Sequence, residues 1–425
     1  MADSSGIVES PSEKKDYVLT LKTPDGTSEV FVHLQTNNDP AQPPSLINVT
    51  RQPLSQPASS PSSSKSPDPE IHIIISTGSG HQKASHFFND VVSPILDALY
   101  PAQSITKHTT QSETSILELT QDVFFPAANT GTPLRIIVLS GDGGIVDLVN
   151  GFSTLPQSPT YTAPQIALLP LGTANALYHS INPSRKNTWG IPALSSRTTK
   201  PLPTYTATFS PGAKLLVNEA RATEDLPKNE KGEGVLHGAV VCSWGMHASL
   251  VADSDTSAYR KHGASRFAMA AKEALYPADG SLPHAYKGRV SYLAPDNEST
   301  WQTLPEQTHM YVLATLVSNL EATFRISPAS TPLDGSMHLV HFGPVDGDEA
   351  MRIMGLAYDG GRHVGDGTVR YERVGGVRVG FEEGEGRWRR VCVDGRIVMV
   401  EEGGWVEVKM GGKGRGVLDV VVGEE

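Results

Sequence analysis

The chain is 425 residues long, carries a formal net charge of −11 from 35 Lys and Arg against 46 Asp and Glu, and is 38% hydrophobic. That length accommodates two domains of ordinary size, the acidic balance excludes broad phosphate-tracking contact with nucleic acid, and two distant cysteines, Cys242 and Cys392, exclude a disulfide framework and point to a reducing, cytoplasmic compartment. No segment approaches the roughly 20 apolar residues that cross a bilayer, and MADSSGIVESPSEKKD lacks the apolar run of a secretory signal, so membrane contact is expected to be peripheral.

In residues 1–38, YVLTLK (17–22) and SEVFVHLQ (28–35) flank the turn former Pro24-Asp25-Gly26, which predicts a β-hairpin. An isolated hairpin is marginal, so it must lean on a larger body. Residues 39–69 are rich in Pro, Ser and Gln and read as a disordered linker, with Ser-Pro steps open to phosphorylation.

The body opens at residue 70. IHIIIS (71–76) is a short apolar run of the kind buried on both faces of a parallel sheet. It runs into TGSG and then the amphipathic segment KASHFFNDVVSPILDAL; a helix is expected over 112–121. LRIIVLS (134–140) enters GDGG and a second helix; PQIALLP (164–170) enters LGTAN and a helix over 176–180. Strands alternating with helices predict an α/β layer structure over 70–182, with right-handed crossovers and the glycine turns along one carboxyl edge of the sheet. There a helix N-terminus and backbone N–H groups favour an anion.

Beyond 182 period-two segments take over, among them TYTATFS, GAVVCSWG, GRVSYLAP, MYVLATLV, MHLVHFG, VRVGFEE, RVCVDGRIVMVEE and WVEVKM. They predict an antiparallel β-sandwich domain over 183–425, interrupted by one helical stretch at 257–275 and a polar insertion near 220–233.

Four stretches carry chemistry. In Ser140-Gly141-Asp142-Gly143, glycines flank a carboxylate at a strand end, where phosphate oxygens can approach the backbone and the acid can accept a proton from a hydroxyl; the plainer reading is a helix-capping Asp. In LGTAN, Gly172 offers bare backbone, Thr173 a hydroxyl and Asn175 an amide, all of which also suit ordinary N-capping. TGSG supplies Ser76, Gly78 and Gly80 but no Gly-Lys-Ser/Thr, so it is not a Walker A loop. In SWGMHASLVADSDTSAYRKHGASRF, Asp253 and Asp255 precede Arg260 and Arg266, whose spacing of six lets both reach one phosphate chain only if the helix breaks at Gly263. The plainer reading is a solvated charged helix.

SGDGGIVDLVNG followed by LPLGTANAL resembles the catalytic domain of the diacylglycerol kinase family, and WGMHASLVADSDTSAYRKHGASRF with AYKGRVSYLAP resembles its sphingosine kinase branch, the likeness running from about 71 to 408. The resemblance implies an α/β nucleotide-binding domain, a C-terminal β domain and a cleft between them, in a lipid kinase using ATP and Mg²⁺ on a sphingoid long-chain base at a membrane. Residue by residue, it implies Asp142 as general base and Ser76, Gly78, Gly80, Thr110 (in HTTQSE), Ser140, Gly141, Gly143, Gly172, Thr173 and Asn175 around the nucleotide. It further implies Arg260 and Arg266 on phosphates, Asp255 with Asp253 toward the substrate amine, and no assigned metal ligand. An apolar pocket lined by Trp244, Met246 and Leu250 would take the alkyl chain. The chain departs from the family at Ser76-Thr77 in place of Asn-Pro and at Asp394-Gly395-Arg396 in place of Asp-Gly-Glu, while the acid one turn beyond the base is kept as Asp147. Kinases of another lipid, diacylglycerol or ceramide, and a catalytically weak nucleotide-binding scaffold are the alternatives.

Overall fold

A computed structural model describes residues 14–39, 41–54, 68–101, 103–182, 187–263, 265–295, 299–411 and 416–423. The first unit is a three-stranded antiparallel sheet of β1 (Asp16–Lys22), β2 (Ser28–Gln35) and β3 (Ser45–Pro53). The expected hairpin therefore has a third strand, laid down by residues 45–53 of the segment read as linker. Leu46 and Val49 pack inward beside otherwise exposed neighbours, three residues apart because the register shifts opposite His33/Leu34, so no clean alternation marks the strand among the surrounding Pro and Ser. Residues 55–67 of that segment lie outside the described residues. Val30, Val32 and Leu34 of β2 are fully buried and join Val92 and Ile95 of the helical run 84–99 in one core, which is the larger body the hairpin needs.

The second sheet is the α/β layer. β4 (Glu70–Ile75), β5 (Ile105–Thr109), β6 (Leu134–Ser140) and β7 (Gln165–Pro170) run parallel in the order β5-β4-β6-β7. β6 is buried along its whole length, as its unbroken apolar run requires. The sheet does not end at residue 182. The C-terminal strand Asp419–Val421 returns to pair parallel with β7, and β8 (Thr199–Pro201) pairs antiparallel with it. The chain thus leaves the α/β layer for the β domain and comes back, so a single division at 182/183 misplaces both ends of the second domain. These strands are three residues long, too short to register as period-two segments.

The β domain is two facing antiparallel sheets, of eight and seven strands among the described residues. Tyr205, Phe209, Trp244, Val290, Leu339, Val379 and Val406, drawn from both sheets, form one buried core. Trp244 is central to it, edge-on to Phe381 and Tyr286, with Nε1 donating to the Trp388 carbonyl at 2.8 Å. It and Met246 are buried core residues, so neither lines an open alkyl pocket. The expected helix at 257–275 is two, Ser257–Arg260 and Ser265–Leu275, broken around Gly263 at φ +55°. Two further helices, Met246–Ser254 and Gly347–Tyr358, interrupt the strands.

One carboxylate pins the β domain together. Asp394, in the turn between Arg390–Val393 and Arg396–Met399, sits at φ +47°. It accepts from the amides of Ala239 (2.6 Å), Val240 (3.1 Å) and Val241 (2.6 Å) and from the Tyr205 hydroxyl (2.8 Å). Asp394→Ala would strand these buried donors, each costing about 1–3 kcal/mol when unpaired. We expect urea unfolding to show a loss on the order of 3 kcal/mol or more, and Asp394→Asn, which retains an acceptor oxygen, to lose less.

Candidate functional site

The glycine turns that follow β4, β6 and β7 meet at one edge of the parallel sheet. A Cβ on Gly172 would lie 2.3 Å from the Gly141 Cα, and one on Gly80, at φ +51°, 2.4 Å from the Leu171 carbonyl oxygen. No side chain fits at either contact, so these glycines are required by turn-against-turn packing. Hydroxyls knit the same junction: Ser76 Oγ lies 2.7 Å from Ser79 Oγ, which lies 3.0 Å from Ser140 Oγ. The Thr77 amide donates to Thr110 Oγ1 at 3.0 Å. Asn175, at φ +54°, accepts from the Gly172 amide at 2.9 Å and donates to its carbonyl at 3.1 Å. Ser76, Thr110, Ser140 and Asn175 therefore brace the turns, and Gly78 and Gly143 have nothing within 4 Å of a notional Cβ. Thr173 is half-buried in the third turn.

Asp142 occupies the centre. It opens the helix Asp142–Ser153, and its two oxygens accept from the amides of Ala176 (2.8 Å) and Leu177 (3.1 Å), the first residues of the helix Ala176–Ile181. Burial pushes the carboxyl above the ordinary aspartate range against the pull of those amides. The arrangement fixes the carboxylate by backbone groups of a neighbouring turn and leaves it poised to take a proton.

The two domains close on this helix. Asn150 donates to the His237 carbonyl (2.8 Å) and accepts from its amide (2.9 Å). Asp147 is ion-paired with Arg396, which belongs to the Asp394 turn. Burial raises the Asp147 pKa, with Arg396 opposing and Glu113 adding to the rise. Asp394 is pushed up to about 6 by burial, and the charge of Asp142 adds to it. Arg396 thus places a cation against Asp147.

Arg260 and Arg266 do converge, because the helix breaks between them. They converge on Asp255: Arg260 Nε and Nη2 each lie 3.0 Å from a carboxylate oxygen, and Arg266 Nη1 lies 3.5 Å from Oδ1. Glu113 flanks Arg260 at 3.5 Å from its Nη1. A Cβ at Gly263 would lie 2.9 Å from the ring of His81, next to Gly80, so the break abuts the first glycine turn. Asp253 faces elsewhere, held by Arg387 at 3.0 Å and Arg390 at 2.8 Å; it is not grouped with Asp255, which corrects its expected place beside the substrate amine. Sequence reasoning missed Glu113, although it ends the HTTQSE segment that holds Thr110.

The described residues do not build a cage for Mg²⁺. No group of three His, Cys, Asp or Glu side chains clusters among the described residues, Asp147 is taken by Arg396, and both oxygens of Asp142 accept from amides. No helix among the described residues is long and apolar enough to cross a membrane.

Residues 70–205 match the diacylglycerol kinase catalytic domain. The chain is 24% identical over 357 residues to human sphingosine kinase 1, covering 78% of this chain and 86% of that protein. Two solved structures of a candidate diacylglycerol kinase from Bacillus anthracis str. Sterne share the fold, with TM-scores of 0.56 and 0.54 at 12% identity, covering 86% and 84% of this chain and 98% of each of theirs. A Cβ would meet open space at Gly143 and the Gly141 backbone at Gly172. Gly172→Ala should destabilise by about 1–3 kcal/mol, the usual cost of overpacking, whereas Gly143→Ala should unfold like the parent yet bind ATP more weakly in a titration.

Proposed function

We propose that this chain, which belongs to the diacylglycerol kinase catalytic family and is an ATP-dependent lipid kinase, phosphorylates the primary hydroxyl of a sphingoid long-chain base. The observation that carries the reading is Asp142, held by the Ala176 and Leu177 amides where two glycine turns touch. In that role Asp142 takes the proton of the attacking hydroxyl. The open backbone at Gly78 and Gly143, beside Gly80, Gly141, Gly172 and Thr173, gives the phosphates room to lie against N–H groups. Arg260 and Arg266 supply guanidinium forks to the phosphate chain as charge shifts to the leaving group. Mg²⁺ would enter with the nucleotide and draw most of its ligands from phosphate and water.

The choice of a long-chain base over a neutral lipid rests on Asp255, a carboxylate with 41% of its side chain exposed beside those arginines, together with the sphingosine kinase relative. An ammonium headgroup can pair with it; a diacylglycerol cannot. The substrate is approached from a membrane surface by a chain expected in the cytoplasm. Arg396 on Asp147 favours a second reading, weak turnover in a nucleotide-binding scaffold. Labelled ATP with sphingosine, phytosphingosine, ceramide and diacylglycerol separates the readings, and we expect label on the two free bases alone; binding without transfer to any lipid would favour the scaffold.

Asp142→Asn should fold as the parent and lose on the order of 10²–10⁴-fold in kcat, the usual worth of a positioned base. Because its pKa lies above the ordinary 3.8, the base is protonated, and activity lost, at a pH above that value as acidity increases. The acid limb of the kcat/KM profile should therefore fall above pH 3.8 in the parent and be absent from the residual activity of the variant.

A further inference from the structure

Arg260 and Arg266 cannot clamp a phosphate chain with full strength while both face Asp255, and Asp255 cannot receive an ammonium while it is held by two guanidinium groups. We propose that Asp255 is an exchangeable counter-ion whose release couples nucleotide binding to capture of an amine-bearing lipid. The inference rests on the reading of the arginines as phosphate ligands given above.

The geometry supports exchange over permanent pairing. Asp255 meets Arg260 in a bidentate fork, both contacts at 3.0 Å, yet its side chain is 41% exposed and that of Arg260 46%. Pairs this open to water are held loosely. Arg266 is more enclosed, at 15%, and touches Asp255 only at 3.5 Å, and its buried Nε donates to no group. A buried guanidinium donor without an acceptor leaves capacity for an anion that Asp255 does not fill. The helix break at Gly263 sets both arginines against the first glycine turn through His81, so the anion they would reach lies over the same backbone as the phosphates.

Polyphosphate brings more negative charge to the pair than one carboxylate and accepts bidentate forks equally well. When it binds, Asp255 loses its partners and is left facing a like charge, which makes an ammonium its best available counter-ion. The reverse follows by linkage: an amine lipid that neutralises Asp255 frees the arginines, and each ligand raises the affinity of the other by the same factor. A neutral lipid has nothing to exchange. Glu113, 3.5 Å from Arg260 on the opposite domain, competes for the same arginine without approaching the amine.

The test is the affinity of the full chain for Mg²⁺·AMP-PNP, measured with and without sphingosine in mixed micelles, with dioleoylglycerol as control. Coupling energies of this kind correspond to about 5- to 150-fold, so we expect sphingosine to tighten nucleotide binding about tenfold and dioleoylglycerol to leave it unchanged. Asp255→Asn should bind AMP-PNP more tightly than the parent without lipid and lose the sphingosine effect. Glu113→Gln should also bind the nucleotide more tightly but keep that effect. The proposal is overturned if the parent shows no sphingosine effect, if Asp255→Asn binds nucleotide no more tightly, or if Glu113→Gln abolishes the coupling. Arg260→Ala with Arg266→Ala places any failure: weaker nucleotide binding there leaves the phosphate site standing and the coupling alone refuted, whereas parental affinity removes the phosphate site and the coupling with it.

Discussion

The contact between Gly141 and Gly172 is the constraint from which the site follows. Two backbone turns can approach this closely only where neither carries a Cβ. Their approach brings the first helical amides after the third turn onto the carboxylate that opens the helix after the second. A side chain at either glycine would separate the turns, and Asp142 would lose both donors together. The hydroxyl chain through Ser76, Ser79 and Ser140 extends the same junction to the first turn. Hydroxyls thus do at that corner what bare backbone does at the other.

The helix Asp142–Ser153 carries this constraint into the second domain. From Gly144 to Phe152 every residue is buried, so the helix has no solvent face and lies between the parallel sheet and the β domain. Its two polar residues in that span are its links to the far side: Asn150 to the backbone of His237 and Asp147 to Arg396. An ion pair this enclosed contributes little net stability, because desolvating two charges offsets their attraction. Arg396 shares a turn with Asp394, and Asp394 is bound to the 239–241 backbone, so the Asp142 carboxylate, its helix and the β-domain anchor form one connected polar assembly.

Much of this was legible in the sequence. The apolar runs of β4, β6 and β7 fix a parallel sheet, since a strand without alternation needs cover on both faces. The glycines at their ends then mark the turns, and alternation beyond 182 marks the sandwich. What escaped reading has physical causes. Ser45–Pro53 is an edge strand with only Leu46 and Val49 directed inward, among residues that look like linker. The returning strand Asp419–Val421 derives its place from tertiary pairing with β7 and is too short for a pattern. Trp244 looked like pocket lining because aromatic residues suit both a lipid chain and a core, and only the facing sheet decides between them. At the site, glycine identity was readable but division of labour was not. Asn175 and Ser140 could as easily have faced a nucleotide; Asn175 bonds within its own turn to Gly172, and Ser140 lies against Ser79 of the first turn.

Asp253 and Asp255 show how far such reading extends. Two carboxylates two residues apart at the end of one helix look equivalent along the chain. The helix Met246–Ser254 ends between them, with Asp255 as its C-terminal flanking residue outside the helical conformation. That change of backbone direction sends Asp253 to Arg387 and Arg390 of the β domain and Asp255 to the arginines beside the first glycine turn. Each carboxylate found the opposite charge within its reach, as half-buried acids must when solvent is partly withdrawn. Only Asp255 did so beside the first glycine turn, and of its two hydrogen-bonded partners Arg260 stays half open to water while Arg266 is enclosed.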